Sequence, residues 1–457
     1  MKKSILFILI FVLFCSYIPV SAEHSGIVSS EIVTEVQNYP KPTGGINFNA
    51  VERQETKTSV NFYANAMPTA SLTAGEYIYQ QCMRHATEIY LAPYGINKDD
   101  ITDIFYDIAT ANPMLLVHTG FVCFYNEVTK TVIRILPQYL TSSLAEDNKV
   151  RAAMNSKINE YIEYASECPD KIGKLLLIHD KIIEDCIYDD SPYIQTEIYN
   201  ETTGTYETVQ EYDYTVHHAY GVFVNREAVC QGFSQAIHLI CERLGINSGF
   251  VVKHDKENEK NNHMWNYIEV DGEWYHLDLT WDEYNNSTSA FHNYFLISDN
   301  TISADHGSKT TWSYFAGDLK NCTSTRFENN HFFNFRNPVH ISYINGNYTF
   351  PLNSKDGISY FQSDTLYTGA MITSAPTKFT DTTGIFKAIT TDAVDISAVF
   401  TLSKNNATST IHMAPFSYNK NTIITVPYTK NNADQTFSCM FMDLDTLIPY
   451  SKKITIN

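Results

Sequence analysis

The stretch His263-Met264-Trp265-Asn266-Tyr267-Ile268-Glu269-Val270-Asp271-Gly272-Glu273-Trp274-Tyr275-His276-Leu277-Asp278-Leu279-Thr280-Trp281 decides the reading of this chain. Asp271-Gly272 at its centre is the strongest short signal for a two-residue hairpin turn, since both central positions of that turn require positive φ. Apolar and aromatic residues flank the turn on both sides. The spacing therefore predicts two antiparallel strands with Val270 paired to Glu273. Carried outward, this register sets Trp265 opposite Asp278 and His263 opposite Thr280. His263 and Asp278 then share one face as diagonal neighbours, with Cα atoms roughly 7–8 Å apart. A slip of one residue would send them to opposite faces. A carboxylate so placed accepts an imidazole N–H, fixes the tautomer and stabilises the imidazolium.

Upstream, Ala228-Val229-Cys230-Gln231-Gly232-Phe233 runs into Phe233, Ala236, Ile237, Ile240 and Leu244 at helical spacing, with Gly245 as the C-terminal cap. Cys230 thus stands at a helix start, where unpaired N–H groups and the helix dipole stabilise a thiolate. The same N–H groups can hold an oxyanion on an attacked carbonyl. A thiol on a helix with imidazole and carboxylate on adjacent strands is the arrangement that nucleophilic thiol catalysis needs. Cys230, His263 and Asp278 are the candidate catalytic residues, with Gln231, Trp265 and His276 as cleft or supporting residues. By parity His276 faces the same side as Trp274 and Asp278, and a packed aromatic role is favoured for it. Trp265, opposite Asp278, is read as the tryptophan that shields the pair, and Trp274 and Trp281 as core or cleft walls. Cys241 is read as structural, and His217 and His218 as ordinary loop or strand residues.

The chain has 457 residues, which suggests about three domains at roughly 150 residues each. A net charge of −19 with no Lys/Arg-rich stretch argues against nucleic acid as a partner. An apolar share of 44% excludes wholesale disorder. Residues 1–22 read as a signal peptide: Lys2 and Lys3, an apolar run from Ile5 to Cys15, then Val20-Ser21-Ala22. That run is too short to span a bilayer, which takes about 20 residues. Cleavage after Ala22 is favoured over a lipid-modified Cys15, and the mature chain is expected to be secreted or cell-surface, with no membrane span. Its other eight cysteines are then open to disulfides or to burial as free thiols.

Residues 23–72, with Pro40, Pro42, Gly44 and Gly45 clustered, read as a flexible leader. A small α/β leader domain follows over 73–144. Asn97 is a candidate cap for a helix carrying Ile101, Ile104, Phe105 and Ile108, and Leu115–Phe124 with Thr131–Leu136 form a plausible hairpin. The core is assigned to 145–320, with a helix tracing Val150 to Ala165 and another opened by Pro169 at its first position. Residues 191–214 interrupt it as an exposed, tyrosine-rich, acidic excursion, read either as a flap over the cleft or as a solvated loop. Short β-rich segments over 325–457 predict a β-sandwich.

The three segments at Ala228–Phe233, His263–Asn266 and Trp274–Asp282 closely resemble the transglutaminase-like superfamily, most of all its secreted bacterial-type members. Asn293–Asp299 and Asp305-His306 are similar to that family's downstream stretch, and the region from about 75 to 190, with Asn112-Pro113 and His179-Asp180, to the leader that often precedes its core. The resemblance implies an α+β papain-like core, its nucleophile helix packed on an antiparallel sheet, with Cys230 matching the nucleophile, His263 the base and Asp278 the third member. It implies an acyl-transfer enzyme acting on protein or peptide amides through a thioester, by transamidation or hydrolysis. The alternative is a catalytically silent surface binding or adhesion protein on the same scaffold. Two features depart from the family: no tryptophan upstream of Cys230 supplies a second oxyanion donor, and the 191–214 excursion is longer than usual. No calcium-ligand run occurs, so neither metal nor cofactor is expected.

Overall fold

The computed structural model describes residues 32–33, 37–38, 49–52, 72–189, 193–200, 205–253, 262–283, 289–315, 320–329, 339–354, 357–363, 371–374, 376–390, 394–405, 407–419, 423–446, 449–451 and 453–456. The signal segment 1–22 lies outside them. Among the described residues no helix is long and apolar enough to cross a membrane.

A leader sheet is built from β1 (Ile32–Val33), β2 (Gln37–Asn38), β3 (Asn49–Glu52), β4 (Ile89–Tyr90), β5 (Val117–Asn126) and β6 (Val132–Tyr139). Its order is β2-β3-β5-β6-β4, with β1 also on β5; β5 and β6 form the expected hairpin. Two helices cover it, α1 (Ala74–Met83), opened by a Thr73/Glu76 capping box, and α2 (Ile101–Ala111). Asn97 does not cap α2. Its side chain accepts the Asp99 N–H in a local turn, leaving Asp100 at the cap.

Two helices, α3 (Leu144–Tyr164) and α4 (Lys171–Asp185), then lead into the core. Pro169 lies just outside α4 rather than at its first position, because Asp170 caps the helix by accepting the Gly173 N–H at 2.6 Å. β7 (Ile187–Tyr188) pairs in parallel with β10 (Glu227–Ala228), and between them the 191–214 excursion folds as a hairpin, β8 (Tyr193–Asn200) with β9 (Thr205–Tyr212). The helix α5 (Cys230–Leu244), buried continuously from Cys230 to Cys241, ends in Gly245 at φ 64°. It packs on an antiparallel sheet of β11 (Ser248–Lys253), β12 (His263–Val270), β13 (Glu273–Leu277), β14 (Phe295–Ile297) and β15 (Trp312–Phe315), ordered β14-β13-β12-β11-β15. Asp271 and Gly272 both take positive φ, 54° and 83°, as the two-residue turn demands. The register follows: Val270 faces Glu273 and Asn266 faces Leu277.

Beyond residue 340 the chain is β-rich. Two sheets, one centred on Thr383–Thr390 and one on Val394–Lys404, enclose a shared core that includes Phe386, Ile396, Val426, Phe437 and Phe441. The first sheet also turns inward: Tyr348, Phe350, Phe361 and Ile389 join the same apolar interior as α3, α4 and α5, together with Leu116 from the leader. The eight cysteines from Cys82 to Cys439 are free and buried.

Candidate active site

Val229 at the N-cap of α5 has no side chain able to bond the first-turn N–H groups, so the positive end of a 15-residue helix is left for whatever approaches Cys230. Gly232 lets this end press against the chain before it: a Cβ there would sit 2.5 Å from the Val216 carbonyl oxygen and 3.1 Å from that of His218. Cys230 itself is 1% exposed. Tyr106, Phe250, Val252 and Met264 pack around it, and Tyr106 comes from α2 of the leader.

Helix and sheet are pinned side by side. The Ser234 hydroxyl donates to the Met264 carbonyl at 3.0 Å, and the Asn266 amide donates to the Ser234 and Gly249 carbonyls at 3.0 and 3.2 Å. These bonds set the spacing between Cys230 on α5 and His263 at the start of β12. His263 Nε2 lies 2.5 Å from Asp278 Oδ2, and the Cys230 side chain is near enough to the same imidazole to act on it. With Nε2 engaged by the carboxylate, Nδ1 is the nitrogen left for the thiol. Burial, the largest influence, pulls the imidazole down, but the charge and bond of Asp278 and the contact with Cys230 outweigh it and hold His263 above its ordinary range.

Asp278 is not on the strand. β13 stops at Leu277, and Asp278 caps the short helix α6 (Leu279–Asp282), its Oδ1 accepting the Thr280 and Trp281 N–H groups at 2.9 and 3.3 Å. Capping turns the chain back and brings Trp281 over the site. Trp281, expected as a wall with no part in shielding, lies 5.8 Å from the His263 ring and 4.1 Å from that of His306. Trp265 stacks on His263 at 5.7 Å as expected of a shielding residue. His276 accepts the Trp265 indole N–H on Nδ1 at 3.0 Å and meets Asp299 Oδ1 through Nε2 at 2.9 Å. It therefore holds Trp265 and touches no member of the trio.

His306 extends the site beyond the trio. It ends α7 (Asp299–His306), 28 residues past Asp278 in sequence, and its Nε2 lies 2.9 Å from the same Oδ2 that meets His263. Its Nδ1 lies 2.6 Å from Asp305 Oδ1. Burial pushes the Asp278 carboxyl up, but His263 and His306 together hold it well below the usual carboxylate range. In the sequence Asp305-His306 stands out only by its likeness to the family's downstream stretch, and no local pattern ties it to Asp278.

A second buried network braces the back of the site. Asp180 Oδ1 meets His179 Nδ1 at 2.9 Å and His292 Nε2 at 2.7 Å, while its Oδ2 accepts the Ile341 N–H at 2.8 Å. His179 Nε2 lies 3.3 Å from Asp282 Oδ2, at the end of α6. Among the described residues, three groups of side chains have ligand atoms close enough to share a cation: His179, Asp180 and His292; His263, Asp278 and His306; and His276, Asp299 and Cys322. In each the carboxylate already meets a histidine nitrogen within 2.9 Å. Gln231, 1% exposed, faces a cavity beside the start of α5 rather than bonding the trio.

Residues 163–279 match the transglutaminase-like superfamily, the span that runs from the end of α3 through α5 to the hairpin and Asp278. The chain contains a transglutaminase-like core. That superfamily is one of cysteine-based acyl transfer, its domains typically enzymatic. A solved structure described as the crystal structure of a TGase is similar at 15% identity over 35% of this chain and 44% of its own, with a TM-score of 0.21. The chain thus spans less than half the length of that solved structure. Comparison with curated proteins gives no match.

Proposed function

We propose that the transglutaminase-like core is a cysteine acyltransferase acting on protein or peptide amides, with Cys230 as nucleophile, His263 as acid and base, and Asp278 as the group that orients and charges His263. The placement of Cys230 at the start of α5 beside His263, whose imidazole is bonded to Asp278, carries this reading. In the first half-reaction the Cys230 proton passes to His263 Nδ1 and the thiolate sulfur bonds the amide carbon. The oxyanion so formed faces the uncapped N–H groups of α5. Its collapse breaks the C–N bond, and His263 gives the proton to the departing amine, leaving a thioester. In the second half-reaction water or an amine attacks that thioester and yields its proton to His263, and the Cys230 thiolate leaves.

Alkylation by iodoacetamide tests this. Cys230 in the wild-type protein is expected to react faster than in His263→Ala, and because removing the ring can only widen access to the thiol, a slower variant reads lost activation. Equal rates, or amidase activity surviving in Cys230→Ala, would discard the mechanism. The basic n-region and short apolar run at the N-terminus support export of the mature chain from Glu23, with cell-surface or secreted proteins as substrates. Sequencing the N-terminus of released protein checks it; a chain beginning at Met1 contradicts it.

A further inference from the structure

The trio and its supports are closed off from solvent: Cys230, His263, Asp278, Trp265, His276 and His306 are all buried. Trp281 is the exception. It is 41% exposed, although its ring lies 5.8 Å from that of His263 and 4.1 Å from that of His306. The cap on α6 fixes it there, because the Trp281 N–H bonds the same carboxylate that meets His263. An indole left in water beside a buried site is a large surface that a ligand gains by covering. It lies on the His263 side of the site, where the departing amine of the first half-reaction takes its proton.

Asp305 stands beside it. Two side chains border both residues. His306 lies against Trp281 and brings its Nδ1 to 2.6 Å from Asp305 Oδ1. Tyr294 meets the Trp281 ring edge-on at 5.4 Å, and its hydroxyl donates to Asp305 Oδ2 at 2.6 Å. The Asp305 side chain is itself 41% exposed, and each of its oxygens keeps a second lone pair for a further donor. Among the described residues no Lys or Arg pairs with it: Lys253 reaches the neighbouring Gly307, and Lys309 is held by Asp299. No Lys or Arg occurs in sequence between Lys260 and Lys309, so the field over this stretch is of one sign.

An exposed indole with a carboxylate at its border takes a cation. A guanidinium suits it better than an ammonium, since it is planar, stacks on an aromatic face and holds several N–H donors in that plane for a carboxylate. An anionic ligand would be repelled, and a neutral one would cover the ring while leaving the charge unused.

We propose that Trp281 and Asp305 form a shelf for an arginine side chain of the protein substrate, on the amine side of the reacting bond, with the guanidinium over the indole and paired to Asp305. The assignment rests on the acyl-transfer reading, since it is the role of His263 that makes this the amine side. The guanidinium is held for recognition only and takes no part in bond making.

Binding is read without turnover, at low ionic strength, in the full-length Cys230→Ala protein. The chain has four tryptophans, so the indole N–H spectrum is sparse, and the signal lost in Trp281→Leu assigns Trp281. N-acetyl-arginine methylamide is compared with N-acetyl-citrulline methylamide, its uncharged near-isostere. The arginine probe is expected to shift the Trp281 signal saturably and to bind about fivefold more tightly than the citrulline probe. Asp305→Asn is expected to remove most of that preference. Melting curves by circular dichroism check that the variants fold. Saturation transfer observed on the probe itself, which needs no tryptophan, reads Trp281→Leu; this variant should lose the preference likewise and carries the test if Asp305→Asn does not fold. Equal affinity for the two probes, no binding of either, a Trp281 signal that stays still at saturation, or an undiminished preference in a folded variant would overturn the shelf. Alkylation of the wild type reads the chemistry separately: an activated Cys230 without an arginine preference keeps the mechanism and sinks the shelf, whereas an arginine preference beside an unactivated thiol does the reverse.

Discussion

Replacing Asp278 by Asn tests the site where its wiring is most specific. Four N–H groups converge on this carboxylate: the Thr280 and Trp281 backbones on Oδ1, and His263 and His306 on Oδ2. An asparagine that keeps its carbonyl oxygen on the two backbone N–H groups preserves the cap, because Asn caps helices as well as Asp. Its amide nitrogen then occupies the Oδ2 position and donates to His263 Nε2. That forces the His263 proton onto Nδ1, facing Cys230, where it cannot accept the thiol proton. The loss of a hydrogen bond to a charged group is about 1.5–3 kcal/mol, and the wrong tautomer brings the expected fall in turnover to about 10⁴-fold, the size of the effect in a Ser-His-Asp triad. Fold and helix content should persist. Alkylation of Cys230 at a fixed, near-neutral pH is the assay: the wild type should react much faster than the variant, whose imidazole can no longer take the thiol proton. An Asp278→Asn protein that folds and alkylates near neutrality within about threefold of wild type, roughly 0.6 kcal/mol, would refute this wiring.

His306 should act as a positioning residue: His306→Leu is expected to lower kcat about tenfold, a shift of about 1.4 kcal/mol, while His306→Gln, which keeps a donor near Asp278 Oδ2, should recover most of it with KM unchanged in both. A leucine variant with wild-type kcat would remove His306 from the site. In the bracing network, breaking a buried pair by Asp180→Ala is expected to destabilise the fold by about 3–5 kcal/mol in urea. His179 offers a pH signature: burial pulls it down, but Asp180 and Asp282 raise it to about 9. The stability it contributes is therefore complete below about 6.5 and lost as pH rises through about 9. The wild-type minus His179→Gln difference in unfolding free energy should decline over that window, and a flat difference would contradict the assignment.

Sequence alone carried the hairpin, its register and the helix start, because each is local: Asp271-Gly272 admits one turn, and the apolar spacing after Cys230 admits one helix face. It placed His263 and Asp278 together but continued the strand through Asp278, overlooking that Asp followed by Leu279-Thr280-Trp281 is itself a helix cap. Trp281 was misplaced for the same reason. His306 was out of reach because it arrives from a segment whose docking depends on tertiary packing rather than on periodicity. His217 and His218, read as ordinary, line a cavity whose other walls lie in the leader and α5.

Tyr106 against Cys230, and Tyr348, Phe350 and Leu116 within the interior of α3 to α5, set a boundary that differs from the family match. A fragment cut at 163–279 would keep Cys230, His263 and Asp278 while stripping the covering from Phe250, Val252 and Met264. Bared apolar patches of that kind favour aggregation over turnover. The matched segment is therefore smaller than the unit that must be expressed here, and a neighbouring domain swapped onto this core would have to supply its own counterpart of Tyr106.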